Sequence, residues 1–212
     1  MQGRARAEIR TDRDIDLALA CVFLVLVGLS IYNLVKAESD LLRIEVAASI
    51  PLNFLAAVSF MTREPAVEMT RRNEIAVPAI SLLLPFLAMN SPIVFSAPYS
   101  LPSGLIVAIL GASLGAVSFV FLRRSFAILP AVRKVVSDGP YRMVRHPLYL
   151  GEFFYTLGMV MLLFSILSLV LMLASAVFLV WRIKIEERKL IEYPDYQDYA
   201  QRVKYRLIPF VY

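Results

Sequence analysis

Residues 75–122 read IAVPAISLLLPFLAMNSPIVFSAPYSLPSGLIVAILGASLGAVSFVFL, 48 consecutive positions without a charged side chain. A helix needs roughly 20 apolar residues to cross a hydrocarbon core about 30 Å thick, so this stretch is too long for one crossing. Ser91-Pro92 and Pro98-Tyr99-Ser100-Leu101-Pro102 divide it. Proline removes a backbone donor and keeps the preceding residue out of helix, which predicts two spans joined by a short turn. In the second of these, Gly111 and Gly115 form a GxxxG pair that would let a neighbouring helix approach closely.

Working outward, residues 17–35 form an apolar run bracketed by Asp16 and Lys36, and residues 43–62 give a second span. Downstream, residues 148–181 are 34 positions long, and one helix of that length would measure about 51 Å at 1.5 Å per residue. That exceeds the bilayer even with tilt, so a hairpin of two shorter helices turning near residues 164–168 is expected. The reading is an all-α polytopic transmembrane bundle, four spans plus a C-terminal helical hairpin. Residues 1–122 form its N-terminal transmembrane helices. Residues 123–212 form a second region, with the hairpin 148–181 followed by a polar tail.

Composition agrees. The chain of 212 residues is 59% hydrophobic and 18% charged, with a mean hydropathy of +0.68, where a soluble domain carries about 25% charged residues. No small-residue cleavage site follows the first apolar run, so that run reads as a span and not as a signal peptide. Cys21 is the only cysteine and His146 the only histidine. An intrachain disulfide is excluded, neither a structural zinc site nor a His-rich metal site can be assembled, and Cys21 is expected as a small packed side chain.

Lys and Arg fall four before the first span, two in the first loop, three in the second, none in the third, six in residues 123–147 and seven from Arg182 onward. Alternating faces through four spans and returning after a hairpin puts 20 of the 22 on one side. The positive-inside rule makes that side cytoplasmic, with both termini on it. Because the basic residues flank spans, the net charge of +5 belongs to the membrane border, and nucleic-acid binding is not expected.

Two basic segments on that face are long enough to build a site. In the first, the Asp138-Gly139-Pro140 turn leads through Tyr141 to Arg145-His146-Pro147 at the start of an apolar helix, where proline suits the first turn and free backbone N–H groups face solvent. His146 and the tyrosines can equally be read as membrane-border residues. The second segment begins where the hairpin emerges, and Arg182 and Glu186 lie at i and i+4 on one helical face. Taken alone they could be a surface ion pair. The hairpin, however, returns Glu186 to the face from which His146 entered, so the two segments can share one pocket.

Together, Gly139-Pro140-Tyr141-Arg142-x-x-Arg145-His146-Pro147-x-Tyr149-x-Gly151, an apolar hairpin, and Arg182-x-x-x-Glu186-Glu187-x-x-Leu190 resemble the isoprenylcysteine carboxyl methyltransferase family, whose wider group includes membrane phospholipid methyltransferases. The similarity covers roughly residues 118–210, including Tyr196-x-x-Tyr199-x-x-x-Val203 and Ile208-Pro209. One departure is Tyr193-Pro194, where the family has Phe-Gly. The resemblance implies S-adenosyl-L-methionine as cofactor, held in a cytoplasmic pocket by Arg133, Lys134, Val135, Val136, Tyr141, His146, Pro147, Leu148 and Tyr149, with Glu186 at its methionine end. Arg182 would be the catalytic and substrate-binding residue. The acceptor would be a lipophilic or lipidated molecule entering from the bilayer, and residues 1–122 would be where substrate choice is made.

An isoprenylcysteine-like carboxylate suits Arg182, because a carboxylate is ionised at neutral pH and needs no base, and a guanidinium orients it bidentately. A phospholipid head-group amine, a nicotinamide-dependent relative of the sterol reductases, and a non-catalytic membrane module of the same fold are the alternatives. The expected orientation has a direct test. Single cysteines added near both termini of a Cys21→Ser chain should be labelled only from the cytoplasmic side in oriented membranes. Labelling of the C-terminal site from outside would mean that residues 148–181 cross once.

Overall fold

A computed structural model describes residues 2–36, 40–62, 76–89, 102–122, 135–162 and 164–212. Every regular element among them is helical: α1 (Gln2–Lys36), α2 (Asp40–Thr62), α3 (Ala76–Met89), α4 (Pro102–Leu122), α5 (Pro147–Leu162), α6 (Ile166–Leu190) and α7 (Pro194–Arg202), with a 3₁₀ turn at Gly139–Arg142. By length and composition, three stretches among the described residues are able to cross a membrane: Leu17–Lys36, Ser103–Leu122 and Ile166–Leu190. Ser49–Thr62, Ala76–Pro85 and Pro147–Leu162 are shorter apolar helices.

Two helix starts differ from expectation. α1 begins at Gln2, 15 residues before the apolar run, and α2 begins at Asp40. The hairpin turns where expected, with Phe164 and Ser165 preceding α6, because Ser165 caps that helix. Its hydroxyl accepts from the Ser168 N–H at 3.0 Å while the Ser168 hydroxyl accepts from the Ser165 N–H at 2.9 Å, a reciprocal box that fixes the helix start. The expected turn at residues 91–102 falls outside the described residues up to position 101.

Large apolar side chains point outward, including Val25, Leu29, Ile106, Leu110, Leu173 and Val177, whereas Ala56, Ala57, Ser59, Ser81, Ser118, Ser168 and Ser175 are buried. This inversion of the soluble pattern is the physics of helices in lipid. The tails are as apolar as leucine, so helices associate through close packing of small residues. Cys21, expected to be packed, is exposed on α1.

The tightest seam joins α4 and α5. A Cβ added to Gly111 would run into the Tyr155 backbone nitrogen, and one added to Gly158 into that of Ala108. At Gly151 it would lie 2.6 Å from the Gly115 nitrogen, and at Gly104 2.8 Å from the Gly158 oxygen. Positions 104 and 108 meet 158, and 115 meets 151, so the helices run antiparallel and touch backbone to backbone. The GxxxG pair of α4 thus has a glycine-bearing partner, Gly151 and Gly158 of α5. Elsewhere α1 packs on α2, with Phe23 stacked on Phe60 at 5.8 Å, and α3 packs on α6.

Gly158→Ala and Gly111→Ala should each destabilise the protein by about 1–3 kcal/mol or more, since neither contact is with a side chain that can move aside. Gly28 has nothing within 4 Å of such a carbon, and Gly28→Ala should be neutral or stabilising by up to about 1 kcal/mol through helix propensity. Thermal unfolding in detergent checks all three.

Candidate active site

The segment Val135–Pro147 turns sharply before α5. Gly139 takes φ +58°, a left-handed conformation that glycine adopts without steric cost, and Pro140 opens the 3₁₀ turn. Pro147 is the first residue of α5 and is buried. Two backbone bonds tie this segment to the tail after α7: Arg145 N–H to the Tyr205 carbonyl at 2.9 Å, and His146 N–H to the Arg206 carbonyl at 2.8 Å. Across the hairpin, α6 delivers Arg182, Glu186 and Glu187 to the same end.

Two adjoining clusters result. In one, the Tyr149 hydroxyl donates to Glu186 Oε2 at 2.7 Å, and the Arg182 guanidinium lies 4.5 Å over the Tyr149 ring. The His146 ring also stacks on Tyr149, 5.3 Å away and within 2° of parallel. Arg182 is only 2% exposed, so it is no snorkelling surface residue. In the other cluster, the Glu187 carboxylate receives Arg145 at 3.0 Å, His146 Nε2 at 3.2 Å, Arg206 through its Nε, and the Tyr196 hydroxyl at 3.3 Å.

The tail tyrosines brace this arrangement. Tyr199 donates to the Tyr141 carbonyl at 2.8 Å, and Tyr141, Tyr196, Tyr199 and Val203 form one apolar cluster with Val135 and Val136 against it. Burial pushes the phenols of Tyr141, Tyr196 and Tyr199 well above their ordinary range, so they remain neutral donors. Pro194, in place of the expected glycine, is the first residue of α7, where its missing N–H costs nothing.

Of the residues expected in the site, His146, Tyr149, Arg182 and Glu186 come together, and Pro147 and Leu148 start the helix that carries Tyr149, directly after His146. Val135, Val136 and Tyr141 pack beneath the tail. Arg133 and Lys134 lie outside the described residues. Three polar residues were given no role in the sequence reading. Glu187 continues the buried face of Leu179 and Ile183 at four-residue spacing, and an acid on an apolar face is the signal for it. Arg206 carried no local signal. Glu152 sits within the apolar helix α5, and an ionisable residue inside a membrane segment is by default a functional candidate.

Between α1, α2, α3, α4, α5 and α6 lies a cavity of about 210 Å³. Its walls are mostly apolar, among them Phe23, Leu52, Leu82, Phe119 and Leu148, and its polar lining is Asn53, Tyr149, Glu152, Tyr155 and Arg182. The polar end of the hairpin therefore opens onto an apolar space that the first helices help to enclose.

Residues 105–192 match the isoprenylcysteine carboxyl methyltransferase (ICMT) family. The protein-S-isoprenylcysteine O-methyltransferase of Saccharomyces cerevisiae is 30% identical over 198 residues, spanning 85% of this chain and 71% of that protein. The chain belongs to the isoprenylcysteine carboxyl methyltransferase family. The protein-S-isoprenylcysteine O-methyltransferase B of Arabidopsis thaliana is 34% identical over 116 residues, which cover 51% of this chain and 58% of that relative. The fold is shared with the solved eukaryotic intramembrane Ras methyltransferase ICMT, at a TM-score of 0.54 and 22% identity over 90% of this chain and 74% of that one. This family member is an integral membrane protein, all-helical among its described residues.

Glu187→Ala should cost about 3–5 kcal/mol, since it leaves the cationic side chains around it without their buried counter-charge. The tail should loosen first. Limited proteolysis within residues 203–212, together with the melting temperature in detergent, reports it, and wild-type values in both would mean the carboxylate is not what closes the site.

Proposed function

We propose that this protein is an integral membrane S-adenosyl-L-methionine-dependent methyltransferase whose acceptor is the carboxylate of an isoprenylcysteine-like lipophilic molecule. One observation carries the reading: a buried guanidinium, Arg182, lies at the end of an apolar intramembrane cavity and one helical turn from Glu186. A lipid tail fits the walls, and an anionic head fits the arginine. The enzyme activity accords with the family and with the named activity of its yeast and plant relatives.

The residues suit the cofactor by their chemistry. Glu186 is a half-buried carboxylate able to take an ammonium, and His146 stacked on Tyr149 sets an aromatic group beside it. When bound, S-adenosyl-L-methionine supplies a methyl group already activated on a sulfonium, so the protein's contribution is orientation. Tyr149 does two things at once. Its hydroxyl fixes Glu186 and its ring carries Arg182, so the groups assigned to donor and acceptor are held at one position. Arg182 aligns the acceptor carboxylate, which is ionised at neutral pH and needs no base. Phe23, Leu52, Asn53 and Ala56 of α1 and α2 line the cavity, which supports a role for residues 1–122 in substrate choice. The pocket and both termini would face the cytoplasm, in keeping with the placement of the basic residues.

The test is transfer of a labelled methyl group in nanodiscs to N-acetyl-S-farnesylcysteine, with membrane lipid extract alongside. Wild type should methylate the prenylcysteine. At saturating cofactor Arg182→Ala should lower the rate by roughly 30-fold to several-thousandfold, the equivalent of about 2–5 kcal/mol. Arg182→Lys should recover little, because an ammonium cannot reproduce the planar fork. His146→Ala and Glu186→Ala should instead weaken cofactor binding. A lysine variant running at the wild-type rate would remove the carboxylate clamp, and label found only in phospholipid head groups would move the acceptor to an amine.

A further inference from the structure

Residues 207–212 close into a hook. The Ile208 carbonyl accepts from the N–H groups of Val211 at 3.2 Å and Tyr212 at 3.0 Å, and the Tyr212 main-chain oxygen accepts from Leu207 at 2.7 Å and Ile208 at 2.9 Å. Pro209 stands second in this turn and Phe210 third, with φ +65°. That pattern fits a type II turn, whose third position is ordinarily glycine because glycine takes positive φ freely. A bulky residue is costly there. Packing does not offset the cost, since Phe210 meets the Tyr205 ring at 5.2 Å yet remains 87% exposed, with Val211 76% exposed beside it.

The height of the hook follows from what its inner side touches. Leu207 is buried with Tyr149, Leu179 and Ile183, and Tyr212 packs on the same cluster. Leu179 and Ile183 belong to the span Ile166–Leu190, whose outward face runs Leu173, Val177, Trp181 and then the exposed cation Lys184. Tryptophan sits at the border of a bilayer and lysine among its head groups. Leu179 precedes Lys184 by five residues, which places it about 7.5 Å deeper at 1.5 Å per residue. The hook is thus packed at the height where acyl chains begin. In water its apolar tip would be an exposed patch without a purpose; at a bilayer boundary, burial of the phenyl and isopropyl groups offsets the positive φ.

We propose that Phe210 and Val211 are seated in the boundary between head groups and acyl chains, so that bilayer lipid is the partner that holds the tail against the site. The hold is passed on by Arg206. Its guanidinium lies 5.3 Å over the Tyr212 ring and donates to the Tyr212 hydroxyl at 3.5 Å, while its Nε donates to Glu187. The carbonyls of Tyr205 and Arg206 meanwhile hold the N–H groups of Arg145 and His146. A hook fixed in the leaflet therefore keeps the Glu187 clamp closed. This does not depend on which acceptor is methylated.

The experiment uses the full chain in phosphatidylcholine nanodiscs. In a Cys21→Ser background, Val211→Cys carries an environment-sensitive dye while leaving Phe210 intact, and Gln201→Cys on the exposed side of α7 is the control. The dye at 211 should be quenched by lipids spin-labelled high on the acyl chain and shielded from aqueous iodide, and the dye at 201 should behave in the opposite way. Equal iodide quenching at the two positions overturns the proposal. So does shielding without lipid quenching, which would put protein over the tip, a second copy included. Backbone strain separates an anchor from a turn residue. Glycine takes the positive φ without cost, so if Phe210 merely shapes the turn, Phe210→Gly should leave proteolysis of residues 203–212 unchanged or slower. As an anchor, its loss should speed that cleavage by about tenfold or more, because cleavage follows the population of the loosened tail and the phenyl group leaves the lipid. Phe210→Trp, which keeps an interfacial ring, should stay near the wild-type rate. Wild-type cleavage in the glycine variant overturns the proposal.

Discussion

The polar end of the hairpin is held by one carboxylate. Glu187 leaves α6 on its buried face and meets Arg145 and His146 from the segment before α5, Arg206 from the tail, and Tyr196 from α7. These groups come from parts of the chain up to about 60 residues apart, and a surface ion pair between any two of them would be worth little. Buried and shared, the carboxylate cannot lose its partners without leaving charges stranded. It therefore determines where His146 stands, and through the stacked ring of Tyr149 it determines where Glu186 and Arg182 stand as well.

That clamp works only if the two helices of the hairpin are delivered at a fixed height, and lipid offers no hydrophobic force to deliver them. The glycines of α4 and α5 supply it by removing the side chains that would keep the backbones apart. Ser118 and Thr156 hydroxyls bond back to carbonyls within their own helices at 2.6 and 2.9 Å, so the seam stays small without stranding a polar group. A rigid α4–α5 pair then carries Tyr149 and Glu152 at its polar end, while α6 brings Arg182 across to meet them.

The tail is the third participant. Its apolar face, Tyr196, Tyr199 and Val203, packs on Tyr141, and Leu207 packs with Tyr149, Leu179 and Ile183. The strand-like stretch after α7 lends backbone carbonyls to Arg145 and His146. A segment that reads as a polar appendage is thus part of the wall of the site.

The sequence by itself determined the class of the fold and the partners within the motif. Forty-eight uncharged residues interrupted by prolines, and a hairpin-length run flanked by basic segments, have few solutions in a bilayer, because backbone polar groups must be satisfied within helices. The i, i+4 spacing of Arg182 and Glu186 was readable for the same reason, as helical periodicity is local. Tertiary structure alone decided which of two adjacent acids serves as the clamp. Glu186 and Glu187 differ by 100° around one helix, and the arrival of Arg145, His146, Tyr196 and Arg206 at one and of Tyr149 at the other separates their environments. It also decided that Gly111 meets Tyr155, that Arg206 reaches back to α6, and that Glu152 and Arg182 line one cavity. These pairings depend on the register between helices distant in sequence. That register is set by the shapes of surfaces in contact, and no local pattern in the chain encodes it.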